Sequence, residues 1–279
     1  MNYMVELKQN FNIRSYDLFG TTALVKFPEN FKQVDKKKFA KKLLSEQKGI
    51  KTILEKSGEI KGRLRKLSTS FIAGENTKEV LYRENNCTFR FNIDKTYFSP
   101  RLSNERKEIA SLIKKDEVVL VMFAGVAPFS IVIAKDSKAK KIYSNEINRE
   151  ANKYAELNIG LNKLKDKIEL ISGDIKKVTN KILSGEKVGK TLSPKKFDVI
   201  VMPRPQLKDS FLEQAFKLSK KGTRVYYYDF CKIDEVESII KKIEQEAQEN
   251  KIKIKITNVK PAGDIAPYKI RLRVDFIIL

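Results

Sequence analysis

Residues 118–130 read VVLVMFAGVAPFS, and the fold turns on them. Val118–Phe123 is an apolar run of strand length, Ala124-Gly125-Val126-Ala127 is a turn of small residues, and Pro128 suits the first position of a helix. A strand that passes through glycine into a helix gathers backbone N–H groups and the positive helix end at one place. Two carboxylates follow: Glu146 at the tip of the next strand and Asp174 after the third. A carboxylate at the second strand tip accepts from both hydroxyls of a ribose at once. The spacing predicts a nucleoside cofactor; a packed turn with no ligand is the other explanation of the turn alone.

Around this stretch the second half of the chain alternates in type. Strands are expected at Val118–Phe123, Lys141–Glu146, Ile168–Ser172, Phe197–Met202 and Arg224–Asp229, with helices over 103–114, 128–135, 148–162, 209–220 and 233–249. Such alternation predicts a parallel sheet covered on both faces. Two further strands, Ile252–Val259 and Tyr268–Leu279, have no helix between them and read as an antiparallel hairpin. That ending belongs to class I methyltransferases, not dehydrogenases. Residues 181–196, rich in Lys, Gly and Ser, read as a surface loop.

The first half reads as a smaller α+β domain over 14–95, after a leader at 1–13 and before the α/β domain at 96–279. YDLFGTTALVKF, Tyr16–Phe27, is a hairpin. Val34–Glu46 is a helix with Phe39, Leu43 and Leu44 on one side and Lys36, Lys37, Lys38, Lys41 and Lys42 elsewhere. A solvated lysine face explains those lysines more simply than a dedicated RNA helix. Strands follow at Thr52–Leu54, Leu64–Ala73, Val80–Glu84 and Cys87–Asp94.

Lys and Arg number 57 against 35 Asp and Glu, a net +22 that exceeds any need of solubility and points to nucleic acid. No apolar run has the length of a membrane span, and Met1 opens no signal-peptide pattern, so a cytoplasmic protein is expected. Histidine is absent, and Cys87 and Cys231 stand apart without a CxxC neighbour, so no metal site is expected. Acid–base chemistry then falls to Asp, Glu, Lys, Tyr or the substrate itself.

The pieces YDLFGTTALVKF, GRLRKLSTSFIAGEN, YFSPRLSNER, MFAGVAPFSI, NEINREANKYAELNIGLNKL, FDVIVMPRP and GTRVYYYDF occur in this order. Together they resemble the archaeal and eukaryotic tRNA (guanine37-N1)-methyltransferases, which share their fold with a wybutosine-synthesis aminocarboxypropyl transferase. The resemblance covers roughly residues 14–279. It implies an α/β, Rossmann-like class I methyltransferase domain and S-adenosyl-L-methionine bound at Phe123, Ala124, Gly125 and Val126. Arg106, Glu146, Ile147, Asp174, Ile175 and Met202 match the remaining cofactor contacts. In that assignment Glu146 holds the ribose hydroxyls, Asp174 accepts from the adenine amino group, and Arg106 lies near the methionine part.

Guanine N1 carries a proton and is a poor nucleophile until it leaves, so the reaction needs a base and a donor for the charge growing on O6. The resemblance places the base at Glu105 and the O6 partner at Arg65, which stands among Lys61, Arg63 and Lys66 and also suits a phosphate. Its partner would be tRNA at position 37 of the anticodon stem-loop, with the chain acting as a monomer.

Three departures from the family pattern bear on function. The family's N-terminal domain, which in many members reads the outer corner of tRNA, is expected to lack a counterpart, since the resemblance starts almost at the second domain. Met202-Pro203-Arg204-Pro205 stands where guanine methylases often carry Asn-Leu-Pro. A Met-Pro-x-Pro subgroup is associated with methylating carbon 7 of the wyosine precursor imG-14 in tRNA-Phe as well as guanine N1, so Pro203 is counted with the catalytic residues. Arg149 replaces a Pro, and Ala127 replaces a Gly. The aminocarboxypropyl transferase is the rival within the family, and a non-catalytic basic RNA-binding protein the rival outside it.

Overall fold

A computed structural model describes residues 16–58, 67–190 and 192–279, which fall into two compact units, Met1–Pro100 and Arg101–Leu279. The expected leader, the start of the Leu64–Ala73 strand and Arg65 lie outside the described residues.

In the first unit, β1 (Tyr16–Phe19) and β2 (Thr22–Val25) form the expected hairpin. Gly20 turns between them at φ +58°, where a Cβ would lie 2.1 Å from the Leu81 carbonyl oxygen, so only glycine fits. Helix α1 (Gln33–Glu46) crosses to β3 (Thr52–Lys56), which runs parallel to β2, and β4 (Thr69–Gly74) returns antiparallel. Phe39, Ala40 and Leu43 of α1 are buried with Ala23, Val25, Ile53 and Ile72. Lys37, Lys38 and Lys41 face solvent, as the simpler explanation of that lysine run requires. A separate hairpin pairs β5 (Glu79–Glu84) with β6 (Cys87–Asn92).

The second unit opens with α2 (Ser103–Leu112) and continues as β7 (Val118–Val121), α3 (Pro128–Asp136), β8 (Lys141–Glu146), α4 (Arg149–Leu161) and β9 (Ile168–Ser172). After α5 (Ile175–Ser184) come β10 (Phe197–Met202), α6 (Leu212–Lys217), β11 (Ser219–Lys232), α7 (Val236–Glu249), β12 (Ile254–Ala266) and β13 (Lys269–Ile278). Seven strands form one sheet in the order β12-β13-β11-β10-β7-β8-β9. Strands β7 to β11 are mutually parallel, and β13 slots antiparallel between β11 and β12. This is the class I methyltransferase arrangement that the terminal hairpin predicts. Helices α5, α6 and α7 bury Ile175, Val178, Leu212, Phe216 and Ile243 on one face with Leu120, Ile200 and Tyr227.

Several boundaries differ from expectation, three of them for a visible reason. The loop expected from residue 181 begins only at Gly185, because α5 runs to Ser184. Ile175, Val178, Thr179 and Ile182 are buried at helical spacing, but the intervening Lys176, Lys177 and Lys181 dilute that pattern in the sequence. The helix expected over 209–220 shrinks to Leu212–Lys217, since Phe211 takes a left-handed φ of +60° and β11 starts at Ser219. Strand β7 stops at Val121 because Phe123 also turns left-handed, at φ +56°.

Candidate active site

The strand order reverses between β7 and β10, and in such sheets the crevice beyond the carboxyl ends of the two strands is where ligands bind. The Phe123–Ala127 turn occupies that position. Phe123, Gly125 and Ala127 alternate at φ +56°, +58° and +67°, so the turn coils tightly before α3 begins. Two of the three are not glycine, and a left-handed residue with a side chain costs about 1–2 kcal/mol. Ala127, where the family has Gly, is fully buried. Long-range bonds hold this shape: the Ala124 N–H donates to the Asn145 carbonyl at 2.9 Å, and the Asn158 amide donates to the Val126 carbonyl at 3.2 Å.

Glu146 sits at the tip of β8 and is held by backbone. Gly125 N–H donates to Oε2 and Asn148 N–H donates to Oε1, both at 2.7 Å. Glu146, Ile147, Phe123 and Gly125 are half-buried, while Ala124, Val126 and Met202 are buried. Asp174 caps α5, its Oδ1 accepting from the Lys176 N–H at 3.0 Å, and Ile175 behind it is buried. Arg149, exposed at the first position of α4, takes a place that Pro also fills well, since Asn148 caps that helix.

Glu105 and Arg106 lie in the first turn of α2, and both are buried, at 7% and 1% exposure. Arg106 is therefore no surface arginine; its guanidinium lies over the Phe129 ring at 5.8 Å, in the first turn of α3. Glu105 Oε2 accepts from the Tyr228 hydroxyl at 2.8 Å and from Arg273 at 3.0 Å, and Oε1 faces Lys260 at 3.4 Å. Arg273 also forks onto Asp275 at 2.9 and 3.0 Å and reaches Glu108 at 2.8 Å. Burial, with Glu105 beside it, pushes the Tyr228 phenol far above its ordinary range, so it remains a donor. Tyr227 pairs with Met202 in the sheet, so Tyr228 stands one residue beyond the end of β10, and its ring packs 5.8 Å from Phe129. Glu105 is thereby brought to the same edge of the sheet as the turn.

The Met202-Pro203-Arg204-Pro205 segment leaves β10 at this edge, with Pro203 half-buried. Arg204 turns inward, pairs with Asp229, and donates to the carbonyls of Pro205, Leu207 and Asp209. It is the internal pin of the loop that follows. Sequence reasoning missed Arg204, Asp229, Tyr228 and Arg273. One signal was available: Arg273 and Asp275 are opposite charges two apart in the otherwise apolar LRVDFII, and so share one face of a strand. Among the described residues no Cys, Asp and Glu cluster could hold a metal ion, and no helix is long and apolar enough to cross a membrane.

Residues 80–255 match the family model described as the TRM5/TYW2 methyltransferase domain, and residues 5–77 match the TYW2 N-terminal domain. The chain belongs to the TRM5/TYW2 methyltransferase family. A relative from Nanoarchaeum equitans, tRNA (guanine(37)-N(1))/4-demethylwyosine(37)-methyltransferase Taw22, is 32% identical over 95% of this chain and 100% of its own. The solved complex of aTrm5 with tRNALeu is 28% identical with a TM-score of 0.83, covering 100% of this chain and 76% of that one. Methanocaldococcus jannaschii Trm5 in complex with adenosine is 27% identical with a TM-score of 0.78, covering 100% of this chain and 78% of that one. Within the TRM5/TYW2 family the resemblance first seen in the short motifs thus holds over nearly the whole chain. The family is S-adenosylmethionine-dependent.

Proposed function

We propose that this protein methylates position 37 of tRNA, forming N1-methylguanosine, and also methylates carbon 7 of the wyosine precursor imG-14 in tRNA-Phe. One observation carries the proposal: a buried carboxylate, Glu105, stands at the same sheet edge as the turn, bonded to Tyr228 one residue beyond the partner of Met202. S-adenosylmethionine, when bound, supplies an electrophilic methyl that passes to N1 and leaves a neutral thioether behind. Glu146 would hold its ribose, with Phe123, Ala124, Gly125, Val126, Ile147 and Met202 around it. Asp174, Ile175 and Arg106 would complete the contacts. Glu105 takes the N1 proton, and Arg65 supports O6. Residues 14–95 would contact RNA, with the protein acting as a cytoplasmic monomer.

Pro203 presents a ring where narrower enzymes present an amide, so the base pocket lacks a side-chain partner that a plain guanine would use. A tricyclic base fits that loss. Parallel assays on G37-tRNA and on wyosine-precursor tRNA test both halves. Wild type is expected to methylate both, and Pro203→Asn to shift the ratio toward guanine N1. No transfer to the tricyclic base by wild type sinks the dual-target half.

The match of residues 5–77 to the TYW2 N-terminal domain favours the aminocarboxypropyl transferase as the alternative. Mass spectrometry of the modified tRNA separates the two, because that group is larger than one methyl.

A further inference from the structure

The cluster around Glu105 contains more than the proposed base. Glu105, Glu108 and Asp275 supply three carboxylates; Arg273 and Lys260 supply two cations. The group therefore carries one negative charge in excess, and a single proton taken up by a carboxylate brings it to balance. Arg273 is 1% exposed, so none of this charge is eased by solvent at its centre.

The two oxygens of Glu105 are not equivalent. Oε2 receives both strong donors, the Tyr228 hydroxyl at 2.8 Å and the Arg273 guanidinium at 3.0 Å. Oε1 has, among the described residues, only Lys260 at 3.4 Å, and that ammonium is drawn to Glu108 at 2.6 Å instead. Arg273 cannot swing toward Oε1 either, because its fork is fixed on Asp275 and its remaining edge on Glu108. The ring of Tyr228 is likewise fixed against Phe129, in the helix that leaves the Phe123–Ala127 turn. The carboxylate is thus locked in rotation by groups on β11 and β13.

We propose that Tyr228 and Arg273 are positioning residues for Glu105, fixing Oε2 so that Oε1 is the atom that takes the guanine N1 proton. This rests on Glu105 being the base. In the step, the N1–H bond breaks to Oε1, its electron pair forms the bond to the incoming methyl, and the sulfonium departs as a thioether. Neither positioning residue gives up a proton: burial keeps the phenol protonated, and the neighbouring carboxylates keep the guanidinium charged.

Tyr228→Phe tests this with the least disturbance, since the ring keeps its packing and only the donor is lost. Single-turnover methylation of G37-tRNA at saturating cofactor is expected to slow about tenfold, the size of one hydrogen bond to a charged group. KM for tRNA and cofactor affinity by calorimetry are expected to stay unchanged. In a Glu105→Gln background, adding Tyr228→Phe is expected to slow the reaction no further. Arg273→Lys, which keeps the charge and loses the fork, is expected to behave the same way. Wild-type rates in Tyr228→Phe overturn the positioning role, as does the same tenfold loss when Glu105 is already Gln, which marks a general structural effect. If Tyr228→Phe is slow only because KM rises, the role is again lost. Full activity of Glu105→Gln removes the base assignment itself; a slow Glu105→Gln beside a fast Tyr228→Phe removes only the positioning. Thermal melts of each variant accompany the rates, and should either single variant unfold, the other decides.

Discussion

Glu146 and Glu105 are two glutamates at one sheet edge, yet they are fixed by different parts of the chain. Glu146 is gripped by two backbone N–H groups, Gly125 and Asn148, the farther only 21 residues away. Glu105 is gripped by side chains 123 and 168 residues away, Tyr228 and Arg273. Backbone donors in a coiled turn cannot rotate or ionise, which suits a group meant to hold a ligand in one pose. Side-chain donors from β11 and β13 tie the second carboxylate to a charge network, which suits a group meant to change its protonation. In the proposed function, binding and proton transfer thus fall to two carboxylates held in different ways.

The sharpest break of this contrast is in the rate. Glu105→Gln is expected to lower methylation of G37-tRNA by about 10²–10⁴, with cofactor and tRNA affinities unchanged by calorimetry. Gln is preferred to Ala because Ala removes the acceptor of the buried Tyr228 hydroxyl and of one guanidinium edge of Arg273, whose other edges stay on Asp275 and Glu108. Should the variant bind cofactor much more weakly, the separation of roles is wrong.

Glu146→Gln reverses the pattern. An amide in place of the carboxylate must turn its own N–H₂ toward Gly125 or Asn148 N–H, or toward the ribose. Cofactor affinity is expected to fall roughly ten- to hundredfold, while the single-turnover rate at saturating cofactor changes little. Unchanged affinity in calorimetry ends the ribose assignment.

The smallest effect is on acid stability. Burial disfavours the Glu108 anion, but hydrogen bonds from Lys260 and Arg273 outweigh it and hold the carboxyl below its ordinary range. Its folded pKa lies under the unfolded one, so its contribution is complete above about pH 4.5, the unfolded value, and fades as pH falls through the folded value. Glu108→Gln is expected to melt at a temperature less dependent on pH below that point. Identical slopes for wild type and variant between neutral and acid pH contradict the network drawn around Arg273.

The same contrast decides what could be read from sequence. The turn, the strand alternation and Glu146 are local: VVLVMFAGVAPFS and the next strand tip carry their own pattern of small and apolar residues. The class I sheet follows from the terminal pair of strands without a helix between them. Helix α5 escaped notice because three lysines interrupt its apolar face, and its start at Asp174 is a cap as well as a candidate ligand contact. The surroundings of Glu105 were illegible for another reason. Nothing near SNER announces Arg273 or Tyr228, and only the sheet order, with β13 inside β12, brings them together. Arg204 stands between two prolines with no periodic pattern to mark it as buried, and its inward pairing with Asp229 depends on the same long-range sheet order.

The placing of β13 inside the sheet has a consequence in time. The 168 residues that separate Glu105 from Arg273 take roughly 8–35 s to synthesise at about 5–20 residues per second. The turn, Glu146 and the four parallel strands β7 to β10 are complete on the ribosome well before that interval ends. The emerging chain thus first acquires the turn and Glu146, and the carboxylate of α2 meets its guanidinium only when β13 threads between β11 and β12.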